Sequence, residues 1–207
     1  MIEELIDFDN NYKSDYDKYS YIRGRQLYLF LCKYLSKDKD TKIKYSYVRD
    51  LIRYDKRLKD KLYIYLGTFE DWLKTLVYEQ TNYSNDKDFS KSDEIDHSSF
   101  IEINTKENYD LNKLIEIIQK NDIESENISD FNKIRVFRNK VMHHNFLLLQ
   151  YSKENKIESR IDWLKENVLL LKKYLPKDYQ TGFINDINKC KNNLKLEKIF
   201  MEDLKWY

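Results

Sequence analysis

The sequence has very little glycine and proline, the residues on which tight turns depend. Three Gly and one Pro occur among 207 residues, roughly 2% of the chain against an average near 12%. Because turns and bulges use these residues, their scarcity argues for long helices joined by few tight turns. Charged residues reach 35%, which suits solvated helix faces and not an extended β-sandwich. We therefore predict an all-α fold.

Cysteine pairs, a secretory leader and long apolar runs are also missing. Cys32 and Cys190 are far apart in the sequence, which fits a reducing cytosol with both thiols free and buried. The acidic start, Met1-Ile2-Glu3-Glu4, lacks the positive region and apolar core of a signal peptide. No apolar run approaches the length of a membrane-spanning helix. We expect a cytoplasmic protein with no membrane partner.

The motifs of most well-known enzyme classes are absent from the sequence. It has no Gly-rich phosphate loop, no G-x-S-x-G elbow, no H-E-x-x-H pair and no Cys/His spacing typical of zinc sites. Three histidines and two isolated cysteines argue against a structural zinc site. The expectation is a protein with no metal and no cofactor.

The periodicity of apolar residues predicts a series of helices. Their expected ranges are 19–35, 44–78, 111–119, 130–151 and 157–174, with one or two more helices between 178 and 207. Residues 1–16 are expected to form an N-terminal arm or a short helix, and the polar stretch 82–109 a loop or insertion between two helical halves. Gly67 suggests a kink or a close helix crossing. The chain, 1–207, is interpreted as a single domain, a helical bundle.

Positive charge is concentrated in two segments, although the net charge is only +1. Residues 37–61 contain ten Lys or Arg against five Asp, and residues 133–153 contain no acidic residue. Such segments are either phosphate-binding surfaces or solvated helix faces. If they bind RNA, the candidate contacts are Arg53, Arg57, Lys133 and Lys140, and the 18 Tyr offer rings for stacking.

One segment combines residues that are able to carry out phosphate chemistry. Four residues separate Arg138 from His143, and five separate it from His144. This spacing alone is weak evidence for a site, because eight Arg and three His in a chain of this length would produce roughly 0.35 such matches by chance. Three features strengthen it: two of the three histidines are adjacent, Asn139 follows Arg138 directly, and the segment is basic and expected to be helical.

A helical projection separates the side chains of this segment. An apolar stripe is expected to pack on the domain, and it consists of Ile134, Phe137, Val141 and Leu148. Arg135, Asn139 and His143 fall on nearly the opposite side, so His143 is predicted to be accessible. Arg138 and His144 lie on the two flanks of the stripe, so His144 is predicted to be half-buried and hydrogen-bonded.

Arg138 and His143 are about 140° apart on one helix and cannot easily touch. A site that uses both residues would need convergence across a two-fold axis, a helix irregularity, or a substrate that spans them. Symmetric dimers commonly build such shared sites, so a homodimer is expected.

These residues resemble a known family. The segment VFRNKVMHHNF resembles the HEPN signature, in which Arg and His lie four to six residues apart, and is most similar to bacterial abortive-infection (Abi-like) proteins of the AbiD/AbiF type. Met142 stands where that pattern prefers Ala. The stretch YDKRLKDKLYIYLGTFEDWLKTLV resembles the Abi-like pattern Tyr-Asp…Leu-Arg…Ile-Glu…Leu-Arg, with Glu70 as the family's acidic residue and Lys74 in place of Arg. The resemblance covers roughly 45–80 and 130–150, and the Pro-Ile-Trp segment common between the halves is absent.

The resemblance implies an all-α domain of four or more helices, often dimeric, with metal-independent endoribonuclease activity. By that match Arg138 would grip the phosphate, and His143 would transfer a proton, since the ordinary pKa of histidine lies near neutrality. Asn139 would orient the imidazole or bind RNA, and Glu70 would orient Arg138 or His143. His144 and Arg135 are possible supporting residues.

The biological role that the resemblance implies is a toxin of an antiphage or toxin–antitoxin system. AbiF-like members resemble systems that are controlled by a neighbouring small non-coding RNA, so a regulatory RNA is an expected partner. Two other interpretations stay open. In the first, the protein is a non-catalytic helical RNA- or protein-binding module. In the second, it is a nucleotidyltransferase partner or an HEPN-type antitoxin.

Overall fold

The structure is a computed structural model that describes residues 2–8, 12–35, 42–83, 111–148, 157–196 and 206. Seven α-helices lie in these ranges: α1 (Lys13–Arg23), α2 (Arg25–Leu35), α3 (Tyr45–Tyr83), α4 (Leu111–Lys120), α5 (Ile128–Met142), α6 (Ile157–Tyr174) and α7 (Lys177–Lys189). The all-α prediction is confirmed. Of the polar stretch 82–109, only the last two residues of α3 are among the described residues.

The chain divides into two compact units, Met1–Leu58 with Asn188–Tyr207, and Lys59–Ile187. The expectation of a single domain stays a prediction. In the first unit, two short strands pair in parallel, β1 (Ile6–Asp7) and β2 (Ile43–Lys44). The stretch expected to be an N-terminal arm therefore contains a strand, and α1 begins within it. Tyrosines fill much of this unit's core, namely Tyr16, Tyr28, Tyr45 and Tyr54.

A glycine divides the helix that the sequence predicts over 19–35. Gly24 has a φ of 85° and its N–H donates to the Ser20 carbonyl, which ends α1 before α2 begins. Residues with a side chain rarely adopt this backbone conformation, so the break occurs at the glycine. Gly67, in contrast, lies inside an uninterrupted α3, and a Cβ there would meet nothing within 4 Å. The expected close crossing at Gly67 is wrong.

The second unit packs α3, α4, α5 and α6 around an apolar core. The core face of α3 follows the helical period and consists of Leu62, Leu66, Phe69 and Leu73, none of them exposed. Helix α5 packs against both α4 and α6. An aromatic cluster joins α3, α5 and α6: the Phe131 ring lies 6.0 Å from Phe69, 5.9 Å from Trp72 and 5.2 Å from Tyr174.

Neither Cys32 nor Cys190 forms a disulfide, and both are buried, as expected from the sequence. Burial raises the pKa of the Cys32 thiol to about 12, so this side chain behaves as a small apolar residue and not as a nucleophile. Within the described ranges, no helix combines the length and the apolar character needed to cross a membrane.

Candidate functional site

The apolar stripe of α5 sets the orientation of the candidate site. Phe131, Ile134, Phe137 and Val141 are buried at helical spacing, at 0 to 1% exposure, which confirms most of the predicted stripe. This buried face turns the polar side chains of α5 toward its neighbours α3, α4 and α6 and toward solvent. Leu148 is also buried, but it lies beyond the end of the helix.

Arg138 and Glu70 meet between α5 and α3. The Arg138 Nε donates to Glu70 Oε1 at 2.5 Å, and the two side chains remain 27% and 20% exposed. A second arginine nitrogen, Nη1, lies 3.5 Å from the Asn139 side-chain oxygen. The carboxylate thus fixes one edge of the planar guanidinium, and partial exposure leaves the group accessible to a bound anion. Of the two contacts expected for Glu70, the structure forms the one with Arg138.

Helix α5 ends at Met142, nine residues before the expected end at 151. His143 is the C-cap, and its N–H donates to the Asn139 carbonyl. The His144 N–H donates to the Val141 carbonyl at 3.1 Å, and the Asn145 N–H to the Lys140 carbonyl at 3.0 Å. These two bonds define a Schellman motif, in which the residue after the cap adopts the left-handed conformation. That residue is His144, with a φ of 54°.

The early helix end corrects the predicted environment of His144. Both His143 and His144 are exposed, so the prediction of an accessible His143 is confirmed and that of a half-buried His144 is wrong. A regular 100° step per residue does not apply beyond Met142, because His144 has left the helical conformation. The two imidazoles therefore extend from an exposed turn at the end of α5, five and six residues after Arg138.

Two buried cations hold the chain that follows α5, and neither was predicted from the sequence. Lys59 is 7% exposed, and its Nζ donates to the main-chain carbonyls of His144 at 3.2 Å and Asn145 at 3.3 Å. Arg160 is 5% exposed and donates from Nε and Nη2 to the Leu147 carbonyl at 3.2 and 2.9 Å. Its guanidinium also lies 3.8 Å from the centre of the Trp163 ring. The histidine turn, residues 143–145, is thus held at the carbonyls of His144 and Asn145, and the chain that follows it is held at the carbonyl of Leu147.

The other site candidates on α5 are Arg135, Lys133 and Lys140. Arg135 donates to Asn112 of α4 at 2.7 Å and to Asn132 at 3.3 Å. Lys133 is exposed, whereas Lys140 is half-buried, with its Nζ 5.5 Å from the centre of the Trp163 ring. Burial, with a smaller contribution from Arg160, lowers the pKa of Lys140.

A groove of about 850 Å³ runs between α5 and α6. Its lining combines amides, charged groups and apolar side chains: Ser129, Asn132, Lys133, Arg135, Val136, Trp163, Glu166, Asn167 and Leu170. Val136 is 45% exposed, which is unusual for a valine in the middle of a helix that packs on three others. The groove lies on the same helix as the Arg138 site and is large enough for a small ligand or a side chain of a partner.

Arg53 and Arg57, the RNA-binding candidates on α3, make contacts within the first unit. Arg53 pairs with Asp50 at 3.5 Å and keeps 45% of its side chain exposed. Arg57 Nη1 donates to the carbonyls of Cys190 at 3.4 Å and Asn192 at 2.9 Å. These bonds satisfy carbonyl groups just beyond α7. A role of either arginine in RNA binding stays a prediction.

Comparison with protein-family models, curated proteins and solved structures finds no match. In the described part of the chain, no group of three or more His, Cys, Asp or Glu side chains is arranged to hold a metal ion.

The left-handed conformation of His144 leads to a test of stability. Because glycine is the residue that best tolerates a φ of 54°, His144→Gly is expected to raise the free energy of unfolding by roughly 1 kcal/mol. Urea denaturation measures this change. Lys133→Gly, on the exposed face of α5, is the matched control and should lower stability by about 0.5 to 1 kcal/mol. Equal losses in both variants would contradict the Schellman turn.

Proposed function

We propose that the protein is an HEPN-type endoribonuclease of the Abi-like kind, a toxin of an antiphage or toxin–antitoxin system that acts in the cytoplasm. The observation that supports this function best is the arrangement around Arg138. A partly exposed guanidinium is fixed by Glu70 from another helix, and two exposed imidazoles follow at the end of the same helix. The residue types are those that phosphate cleavage requires.

The proposed reaction uses the 2′-hydroxyl of the substrate RNA as the nucleophile. A basic imidazole removes the proton of the 2′-hydroxyl, the 2′-oxygen bonds to the adjacent phosphorus, and the bond from phosphorus to the 5′-oxygen breaks. An imidazolium donates a proton to the leaving 5′-oxygen. The products are a 2′,3′-cyclic phosphate and a 5′-hydroxyl. Arg138 stabilises the added negative charge on the phosphoryl oxygens through its planar donors.

The imidazoles and Arg138 need not converge within one chain. His143 and His144 are exposed, and Arg138 is itself partly exposed beside α3, so a substrate strand or a second copy of α5 has access to both groups. We propose that two protomers supply the complete site across a two-fold axis. The basic α5, with Lys133 and Lys140, provides the phosphate contacts for a substrate RNA and for a restraining non-coding RNA.

Cleavage of RNA by the purified protein in the presence of EDTA tests this function. We expect fragments with 2′,3′-cyclic phosphate or 3′-phosphate ends, whose termini are identified by mass spectrometry. The protein is first freed of copurifying RNA at high salt, because a restraining RNA would mask activity. Absence of cleavage after RNA removal, across structured and single-stranded substrates, would contradict the proposal.

A second candidate function is a non-catalytic RNA- or protein-binding module. The groove between α5 and α6, with its exposed Val136 and its amide-rich walls, favours this alternative. A single measurement on one sample distinguishes the two functions. Stable binding of RNA, with intact 5′ and 3′ ends after incubation, would support the binding module, whereas turnover would support the enzyme.

A further inference from the structure

The turn that carries both histidines is supported by a lysine that is 85 residues away in sequence. Lys59, near the middle of α3, is 7% exposed. Its Nζ donates to the carbonyls of His144 and Asn145, the two residues that complete the Schellman motif at the end of α5. A lysine is rarely buried to this extent unless its ammonium is satisfied by hydrogen bonds or an opposite charge.

The position of this ammonium is favourable for reasons beyond the two hydrogen bonds. The last carbonyl groups of a helix carry partial negative charge and have no partner within the helix, so a cation at this end is stabilising. His144 has the left-handed conformation, and the Lys59 ammonium donates a hydrogen bond to its carbonyl. The same contact therefore places a cation at the C-terminal end of α5 and stabilises an unfavourable backbone conformation.

A second anchor three residues further on limits the movement of the turn. Arg160 holds the Leu147 carbonyl with two nitrogens, and the side chains of Leu147 and Leu148 are buried. Residues 143–145, in contrast, are exposed. A histidine that transfers protons gains from such a fixed backbone, because misplacement by about 1 Å can cost on the order of 100-fold in rate.

We propose that Lys59 is a positioning residue for the histidine turn: its ammonium fixes the backbone of His144 and Asn145 and so directs the two imidazoles relative to Arg138. Lys59 touches no substrate in this role. The expected effect on cleavage rests on the proposed ribonuclease function, whereas the expected effect on the turn does not.

The test replaces Lys59 by methionine, which keeps the length of the side chain and removes its donors and charge. Amide hydrogen exchange, followed by NMR, is expected to become about tenfold faster at His144 and Asn145 and to stay unchanged at Phe131 and Ile134 in the buried part of α5. Lys61→Met is the matched control, because Lys61 lies on the same helix and pairs with Asp186 at 3.4 Å, with 42% of its side chain exposed.

Cleavage by the same variants measures positioning separately from folding. For Lys59→Met we expect kcat to fall about 10- to 100-fold with KM within about twofold of the wild type, since the chemistry and not RNA binding is disturbed. Lys59→Arg, which retains donors and charge, should recover most of the loss. Lys61→Met should match the wild type in both parameters.

Each outcome of these measurements decides a different claim. Unchanged exchange at His144 and Asn145 in Lys59→Met would overturn the proposal, whatever the cleavage rate. Faster exchange with an unchanged kcat would also overturn it, because Lys59 would then stabilise the turn without positioning the chemistry. If the wild type cleaves no RNA, the ribonuclease function fails, and the exchange result still decides whether Lys59 fixes the turn. If Lys59→Met does not fold, Lys59→Gln is measured in its place, with the same expected directions.

Discussion

Replacing Arg138 by alanine is expected to reduce the kcat for RNA cleavage by about 10²- to 10³-fold, the loss typical of removing one donor that stabilises transition-state charge. The rate is measured under single-turnover conditions, so that product release does not hide the chemical step. Lys113→Ala, which removes an exposed cation that pairs with Glu116 on α4, is the matched control and should change kcat less than about threefold.

The substitution also leaves the Glu70 carboxylate without its guanidinium partner. Because Glu70 retains 20% exposure, water can solvate much of the charge, and we expect a stability loss of about 1 kcal/mol. Urea denaturation separates this loss from the catalytic effect. Arg138→Lys should remain strongly impaired, since a lysine cannot present a planar fork to both Glu70 and a phosphate. Wild-type cleavage by a folded Arg138→Ala protein would remove Arg138 from the chemistry and leave the binding module as the better function.

The parts of the site that follow from local periodicity were predictable from the sequence. Phe137 and Val141 repeat at helical spacing, so the buried face of α5 and the accessibility of His143 could be predicted before the structure. The contact between Glu70 and Arg138 was one of two anticipated from the family pattern. Glu70 contacts Arg138 and not His143 because of the way α3 packs against α5. The periodicity of the sequence carries no information about this packing.

The end of α5 could not be predicted, because the usual signal is missing. A Schellman motif is commonly marked by glycine after the cap, and here His144 occupies that position. Apolar residues continue through 146–149, so the pattern extends the helix past its real end. Leu147 and Leu148 are indeed buried, but by the course of the chain after the turn and not by helical periodicity.

The anchoring cations were missed for a related reason. Lys59 lies in a segment rich in lysine and arginine, where nothing local distinguishes a buried ammonium from an exposed one. Arg57, two residues earlier, satisfies carbonyls near Cys190, whereas Lys59 satisfies those of the histidine turn. Both sets of contacts join residues that are more than 80 positions apart in the sequence. A count of charged residues cannot distinguish them, and it treats Arg57 and Lys59 alike as possible phosphate ligands.

Replacing Phe131 by alanine is expected to have the largest effect on stability. Its ring is fully buried between α3, α5 and α6, within 5.2 to 6.0 Å of three other aromatic rings. Removing such a ring costs about 3 to 5 kcal/mol, because the cavity can collapse only partly. For a chain of this size we expect a fall of roughly 10 °C in the melting temperature. Calorimetry and urea denaturation measure the two quantities.

Val136→Ala is the matched control for Phe131, since it removes apolar atoms from the same helix at a position that is 45% exposed. It should change stability by less than about 1 kcal/mol. The comparison also tests how the site is held. Phe69, a neighbour of the Phe131 ring, is adjacent in sequence to Glu70, so the aromatic cluster fixes α5 against the part of α3 that carries the carboxylate. If Phe131→Ala lost no more stability than Val136→Ala, this packing would not be what brings Glu70 to Arg138.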